Sequence, residues 1–252
     1  MKRTIILFLV FTMCAAFYSN AQKLTIATAA NFRDPMTEIA AKFKTENPEI
    51  DVKTIFGSSG NLYNQITNNA PFDLYFAANT KYPEKVFEAG LAYEKPEIYA
   101  IGQLVLWSKR LDTSYGLSVL EDKKARRIAI ANPELAPYGR SAMQCLAYYK
   151  LDEKIKSKLV TAENIAQTAQ FAVTGNADVA FIAKSQLNME TIKGQGSYFD
   201  IPSESYAPIK QAFVAVKQED NKAITDKFVA FLLKPEIQEI IIKYGYKLKA
   251  SE

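Results

Sequence analysis

Short apolar runs alternate along the chain with stretches in which apolar residues recur every three or four positions. Such runs are typical of buried strands, whereas the wider spacing is typical of amphipathic helices. The runs predict strands at 24–27, 52–56, 72–78, 98–107, 127–131, 178–183 and 212–216. The helical spacing predicts helices that begin near 31, 62, 82, 142 and 164, and two closing helices at 223–233 and 235–244.

The alternation of strands with helices indicates an α/β fold with largely parallel sheets and helices on both faces. In such sheets, ligands bind beyond the carboxyl ends of the strands. Three loops of small or polar residues, at 29–31, 57–60 and 137–141, leave a predicted strand and enter a helix, and 132–139 is predicted to be a loop. We therefore expect a ligand site at these loops.

A helix N-terminus at the end of each loop suits an anion, because its first N–H groups lack intrahelical partners and carry partial positive charge. Asn31 and Ser59 can each add a side-chain donor, and Gly57 and Gly60 allow a ligand to approach the backbone closely. The same two polar residues also suit a purely structural role, since serine and asparagine are common helix caps. Their spacing alone leaves both interpretations open.

The first 21 residues have the three-part pattern of a secretory signal peptide. Two basic residues precede an apolar run at 5–17 that one threonine interrupts, and small residues at 19 and 21 mark a predicted cleavage before Gln22. The apolar run is shorter than the roughly 20 residues that span a bilayer, which disfavours a membrane anchor. The mature chain of about 230 residues is long enough for one large domain or two small ones.

The composition argues against several classes of function. The chain has no histidine, which removes the commonest ligand of transition metals and most histidine-based catalytic schemes. Its net charge of +4 falls to +2 once Lys2 and Arg3 are cleaved off, and so small a charge argues against nucleic-acid binding. Cys145 is the one cysteine of the mature chain, so an intramolecular disulfide is excluded. The other, Cys14, follows the large Met13, which disfavours lipid attachment.

Five motifs accompany the predicted strands and the last helix. They are AANF at 29–32, FGSSGNL at 56–62, APFDLYFAA at 70–78, ANP with PYG within 131–139, and KYGY at 243–246. In this order, the motifs resemble those of the periplasmic molybdate-binding proteins of ABC importers. Any single motif is weak, whereas the ordered set is fairly specific and extends over essentially the whole mature chain.

The resemblance implies the two-domain periplasmic binding protein fold, with mixed, mostly parallel sheets, helices on both faces and two crossover strands. The first α/β domain would comprise 22–101 and 213–252, and the second 102–212. In this family, neutral hydrogen-bond donors rather than cationic side chains hold a tetrahedral oxyanion between the domains. A hinge would let the two domains close over the ligand.

The resemblance also implies which residues bind the oxyanion. Asn31 and Ser59 would donate from their side chains and backbones, while Tyr138 and Ile165 would donate backbone N–H groups from the second domain. Ala183 departs from a common family pattern in which a tyrosine hydroxyl reaches the ligand, and the hydroxyl of Tyr138 is a candidate replacement. The resemblance implies no catalytic residue, no cofactor and no metal cation, because molybdenum would be bound only as its oxyanion.

The resemblance predicts a monomeric, non-enzymatic protein that captures molybdate with high affinity in the periplasm and delivers it to an ABC transporter permease. Tungstate is a second candidate ligand. A receptor for another tetrahedral oxyanion, such as sulfate or phosphate, is an alternative, and Ala183 is its main support. An enzyme on the same fold is a second alternative, for which Asp73, within an apolar strand run, is the candidate acid or base.

Overall fold

The computed structural model describes residues 22–218 and 221–249, and the predicted signal peptide at 1–21 lies outside them. The described residues form ten strands and eight α-helices, none of them both long and apolar enough to cross a bilayer. Strands β1 to β10 are Gln22–Ala29, Ile50–Gly57, Leu74–Ala77, Glu97–Gly102, Leu104–Ser108, Ile128–Ala131, Leu159–Ala162, Val179–Ala183, Ser197–Asp200 and Ile209–Ala215. Helices α1 to α8 are Arg33–Glu46, Ser59–Thr67, Lys81–Glu88, Pro137–Tyr148, Asp152–Ile155, Ile165–Thr174, Lys222–Leu232 and Pro235–Lys243.

The strands form two five-stranded sheets with matching strand orders. The first sheet has the order β2-β1-β3-β10-β4 and the second has the order β7-β6-β8-β5-β9. In each sheet one strand, β10 or β5, is antiparallel to both neighbours, and the other four strands point in one direction. We call each sheet, with the helices packed on it, a lobe. The two-lobed, mostly parallel α/β architecture confirms the predicted fold class.

The chain passes between the two lobes twice. It leaves the first lobe at Gln103, between β4 and β5, and returns after β9 to enter β10. The prediction of one strand at 98–107 is therefore wrong, because the apolar run is divided between two sheets. The antiparallel strand of each sheet is thus the first strand that follows a crossing. The division of the chain into domains at 101/102 and 212/213 stays a prediction.

Two strands, the short helix α5 and the start of α4 were not anticipated. Strands β7 and β9 lie at the two edges of the second sheet. Their side chains are largely half-buried or exposed, so they lack the apolar run typical of a buried strand. Helix α4 begins at Pro137, inside the segment predicted to be a loop, because proline suits the first helical turn.

The two lobes fill their cores differently. Each sheet is covered by buried apolar residues on both faces. The first lobe packs aromatic rings, such as Phe32 against Tyr99 and Phe43 against Phe228, with centroids 4.9 and 5.0 Å apart. The second lobe has many buried alanines, among them Ala129, Ala131, Ala142, Ala169, Ala172, Ala177 and Ala180. Small side chains let helices approach the second sheet closely.

Candidate anion-binding site

A small cavity lies where the two lobes meet. Its volume is about 10 Å³, far below the roughly 300–1,000 Å³ of sites for drug-sized ligands. Loops at the carboxyl ends of β1, β2 and β3 in the first lobe, and of β6 and β7 in the second, form its walls. The lining residues are Ala29, Ala30, Asn31, Gly57, Ser58, Ser59, Ala78, Ala136, Pro137, Tyr138, Asn164 and Ile165. The structure therefore brings together all four residues predicted to bind the oxyanion.

Ser59 presents a hydroxyl group to this cavity from the first residue of α2. Its neighbour Ser58 is the helix cap, because Ser58 Oγ accepts a hydrogen bond from Asn61 N at 3.3 Å. Ser59 Oγ instead accepts from Ala78 N at 3.0 Å, an arrangement that leaves its own hydrogen available for a ligand. Tyr75 Oη donates to the Ser59 carbonyl oxygen at 2.6 Å and so fixes the start of the helix.

Asn31 lies in a short 3₁₀ turn, Ala30–Phe32, and caps neither this turn nor α1. Its Nδ2 donates to Gln211 Oε1 at 2.8 Å and to Tyr246 Oη at 2.9 Å. These two bonds use both amide hydrogens, so the side chain supports the cavity wall in this arrangement. The group that Asn31 offers to a ligand is its backbone N–H, which has no partner within so short a turn.

The second lobe contributes the starts of two helices. Tyr138 is the second residue of α4 and Ile165 is the first residue of α6, so their N–H groups lack partners within their helices. Asn164 caps α6, because its Oδ1 accepts from Ala166 N and Gln167 N, both at 3.0 Å. This cap leaves the N–H of Ile165 for the cavity.

The hydroxyl of Tyr138, the candidate replacement for the tyrosine missing at Ala183, bonds to a side chain that does not line the cavity. Tyr138 Oη accepts a hydrogen bond from Gln211 Nε2 at 3.2 Å. Ala183 is fully buried at the end of β8 and does not line the cavity. Gln186 bonds there instead, accepting from Ala183 N at 2.9 Å and donating to the Ile165 carbonyl oxygen at 3.0 Å. Gln186 thereby holds the start of α6.

The two lobes contact each other directly beside the cavity. Gly60 N donates to the Leu135 carbonyl oxygen at 2.9 Å, and Tyr82 Oη donates to the Glu134 carbonyl oxygen at 3.1 Å. A Cβ at Gly60 would lie 3.0 Å from Leu135 Cα, so the absence of a side chain permits this close approach. The structure thus corresponds to a closed arrangement of the lobes.

The site offers hydrogen-bond donors without charge. None of its lining residues is charged, and the nearby Arg140 directs Nη2 to the Pro133 carbonyl oxygen at 3.4 Å. Burial raises the pKa of the Tyr99, Tyr138 and Tyr246 hydroxyls far above the ordinary value, so these groups stay neutral. Residues 22–218 and 221–249 contain no cluster of three or more His, Cys, Asp or Glu side chains suited to a metal. Uncharged donors at helix starts favour an anion.

Behind Asn31, the structure adds buried polar side chains that sequence reasoning missed as functional residues. They are Tyr99, Ser185, Gln211 and Tyr246. Tyr246 belongs to the closing KYGY motif, but its contact with Asn31 joins residues 215 positions apart. Gln211 directly precedes the apolar run of a predicted strand. The feature that would identify it is a buried amide that needs hydrogen-bond partners. Sequence alone does not reveal that burial.

Comparisons with known proteins agree with this geometry. Residues 24–247 match the bacterial extracellular solute-binding protein family. The chain is 40% identical over 241 residues to the molybdate-binding protein ModA of Azotobacter vinelandii, covering 94% of this chain and 93% of the relative. It is also 40% identical to ModA of Rhodobacter capsulatus over 242 residues, with the same coverage of 94% and 93%.

A solved structure extends the likeness to three dimensions. The periplasmic molybdate-binding protein of Azotobacter vinelandii superposes with a TM-score of 0.84 at 35% sequence identity. The match covers 90% of this chain and 99% of that one. Both lobes and the junction between them are therefore shared with this relative.

Proposed function

The chain belongs to the bacterial extracellular solute-binding protein family, and we propose that it captures molybdate for delivery to an ABC transporter. Two relatives that are 40% identical over almost the whole chain are molybdate-binding proteins. The relative with the matching structure is a periplasmic molybdate-binding protein. The chain acts in the periplasm, where the predicted signal peptide at 1–21 directs it.

One observation carries the proposal: helix starts from both lobes converge on one uncharged cavity. Asn31, Ser59, Tyr138 and Ile165 each offer a backbone N–H, and Ser59 adds its hydroxyl. Backbone N–H groups at helix starts favour an anion through hydrogen bonds and through the helix dipole. Donors on both walls bind one anion simultaneously only when the lobes are closed.

Five neutral donors are sufficient for tight binding. A hydrogen bond to a charged partner contributes about 1.5–3 kcal/mol, so five contribute roughly 8–15 kcal/mol before the cost of ordering. Micromolar to nanomolar affinity corresponds to about 8–12 kcal/mol. Because no cationic side chain lines the cavity, no buried positive charge is left unpaired when the anion leaves.

Tungstate shares the charge and the tetrahedral geometry of molybdate, so we include it in the proposed ligand range. Sulfate and phosphate are smaller tetrahedral oxyanions. Discrimination against them rests on the fixed separation of the two walls, since donors placed for a larger anion lie too far from a smaller one. A single chain supplies every proposed donor, and the protein therefore functions as a monomer.

A binding role also fits the position of Asp73 better than an enzymatic role does. Asp73 is buried and does not line the cavity. Its Oδ2 accepts from Thr25 N and its Oδ1 from Asn221 Nδ2, both at 2.6 Å. These bonds tie β1 to the segment before α7, which is a structural role. We therefore propose that the protein is not an enzyme.

The proposal is tested by thermal unfolding of the anion-stripped mature chain with molybdate, tungstate, sulfate or phosphate. A ligand at 100 times its dissociation constant stabilises by about 2.7 kcal/mol, or roughly 5–10 °C for a chain of this length. We expect this shift with molybdate and tungstate only. An equal shift with sulfate or phosphate would assign the cavity to another oxyanion, and no shift with any anion would refute an oxyanion receptor.

A further inference from the structure

Gln211 is a fully buried amide on the strand by which the chain re-enters the first lobe. It lies on β10, where the pairing with β4 shifts between Gln211 and Ala212. It does not line the anion cavity, and its side chain reaches residues that do. A buried amide requires partners for both its oxygen and its nitrogen.

The two ends of this amide bond to opposite walls of the cavity. On the first wall, Gln211 Oε1 accepts from Asn31 Nδ2 at 2.8 Å. On the second, Gln211 Nε2 donates to Tyr138 Oη at 3.2 Å. Tyr99 Oη, 2.9 Å from the same Oε1, holds the amide oxygen in place. One side chain thus spans the junction between the lobes.

Tyr246 and Ser185 connect the two lobes at a second point. Ser185 Oγ, from the second lobe, donates to the Asn31 carbonyl oxygen at 2.9 Å. Tyr246 Oη lies 2.8 Å from that carbonyl oxygen and 3.1 Å from Ser185 Oγ. Asn31 is therefore held through both its side chain and its backbone, and the bond from Ser185 crosses from one lobe to the other.

A glycine at the first crossing makes room for this network. Gly102 is the last residue of β4, directly before the chain leaves the first lobe. A Cβ at this position would overlap Tyr138 Oη and lie 2.6 Å from Gln211 Nε2. The hydrogen bond between Gln211 and Tyr138 thus fits against the bare backbone at the point where the lobes must pivot.

We infer that Gln211 is a positioning residue of the anion site, tying the Asn31 wall to the Tyr138 wall when the lobes close. The inference rests on the proposed function and adds a residue that does not touch the ligand. Opening the lobes would separate Tyr138 and Ser185 from the first lobe and break the bonds across the junction. The network therefore stabilises the closed form and lowers the dissociation constant of the bound anion.

The test compares Gln211→Met with a matched control, Gln238→Met. Both changes replace an amide with an apolar side chain of similar length. Gln238 lies in α8 and does not line the cavity. Its Nε2 donates a hydrogen bond to the carbonyl oxygen of Leu232, the last residue of α7, at 2.6 Å. Calorimetry gives the molybdate dissociation constant of each mature chain, and small-angle X-ray scattering at saturating molybdate reports lobe closure.

We expect Gln211→Met to raise the dissociation constant by about 10- to 100-fold, because the variant loses its bond across the junction to Tyr138 and the bond that holds the Asn31 side chain. Its radius of gyration with molybdate should exceed that of the unmodified protein, whereas Gln238→Met should match the unmodified protein in both measurements. If Gln211→Met does not fold, Tyr138→Phe removes only the hydroxyl that Gln211 contacts, and should raise the dissociation constant about three- to tenfold.

A purely structural role for Gln211 predicts a different outcome. The variant would then unfold at a lower temperature while its dissociation constant and its bound radius of gyration stayed unchanged, and that result would overturn the inference. An unchanged dissociation constant in Tyr138→Phe would do the same. Failure of the unmodified protein to bind molybdate would instead refute the proposed function, so the two failures are distinguishable.

Discussion

The two walls of the anion cavity use different chemistry. The first-lobe wall includes a side-chain donor, the Ser59 hydroxyl, and a backbone held by the side chain of Asn31. The second-lobe wall presents backbone N–H groups at the starts of α4 and α6, carried by Tyr138 and Ile165. The first wall thus adds a side-chain donor to its backbone donors, and the second relies on backbone donors alone.

The two lobes also differ in how they fill their cores. In the first lobe, bulky rings such as Phe32 and Tyr99 pack beside the cavity and leave polar tips for hydrogen bonding. In the second lobe, small residues such as Ala142 and Ala169 fill much of the core, and the starts of α4 and α6 line the cavity. Mutations should therefore act through side-chain loss on one wall and through backbone displacement on the other.

The largest effect is expected from Gly139→Ala on the second wall. A Cβ at Gly139 would overlap the Ala131 carbonyl oxygen and lie 2.6 Å from its carbonyl carbon. The backbone of Ala131 cannot move aside as a flexible side chain can. The start of α4 must therefore move, and the backbone N–H of Tyr138 moves with it. We expect about 1–3 kcal/mol of destabilisation and a loss of molybdate affinity of about 100-fold.

Calorimetry and urea unfolding of Gly139→Ala would measure the two quantities separately. Gly90→Ala is the control, because Gly90 has a φ of 73° but nothing within 4 Å of its Cβ position. It should lower stability by about 1 kcal/mol and leave affinity unchanged. Full molybdate affinity in Gly139→Ala would show that the second wall tolerates backbone displacement.

Next in size is Ser59→Ala on the first wall. It removes the hydroxyl donor and leaves Ala78 N without its acceptor, which should weaken molybdate binding about 10- to 30-fold by calorimetry. Ser58→Ala is the matched control, because Ser58 lines the same cavity but its hydroxyl accepts the capping bond from Asn61 N. The control should lose about 1 kcal/mol of stability with little change in affinity. Equal losses of molybdate affinity in the two variants would contradict a specific role of the Ser59 hydroxyl in binding.

A much smaller effect on affinity is expected from Ile165→Val on the second wall. The donor is the backbone N–H, which valine retains, and the Asn164 cap is untouched. The dissociation constant should stay within about twofold, although the lost methylene costs about 0.5–1.5 kcal/mol of stability. A tenfold loss of affinity would contradict the distinction between the walls.

The smallest effect is expected from a change at Glu38. This residue does not line the cavity, so its variant serves as a reference for unchanged molybdate affinity. Burial raises the pKa of Glu38, but hydrogen bonds from Lys243 and Tyr244 outweigh it and lower the pKa below its ordinary value. A lowered carboxyl pKa stabilises the fold above the unfolded-state pKa of about 4.3, and this stability is lost as the pH falls through the folded pKa.

Glu38→Gln should therefore cost less than about 1 kcal/mol near neutral pH, because the contact lies near the surface. Urea unfolding at pH 7 and at pH 3 would show the difference from the unmodified protein shrinking as the pH falls. A difference that grew toward pH 3 would reverse the assigned sign. Molybdate affinity should not respond to this variant at either pH.

The hydrophobic pattern was sufficient for the fold class and for most strands and helices. Buried strands such as β3 and β6 carry continuous apolar runs, which remain visible in the sequence. The edge strands β7 and β9 lack that signal because they are half-buried. The division of 98–107 between two sheets was also hidden, since both strands are apolar and only their pairing partners differ.

The sequence by itself determined the small or polar residues of the loops and the neutral character of their donors, because these depend on residue types that are close together in the chain. The tertiary structure alone decided which side chains face the ligand. Asn31 turns its amide to Gln211, 180 positions away, and Tyr138 turns its hydroxyl to the same residue. These orientations arise because buried polar groups at the junction of the two lobes must find hydrogen-bond partners. Those partners are distant in the chain, so the local sequence does not indicate them.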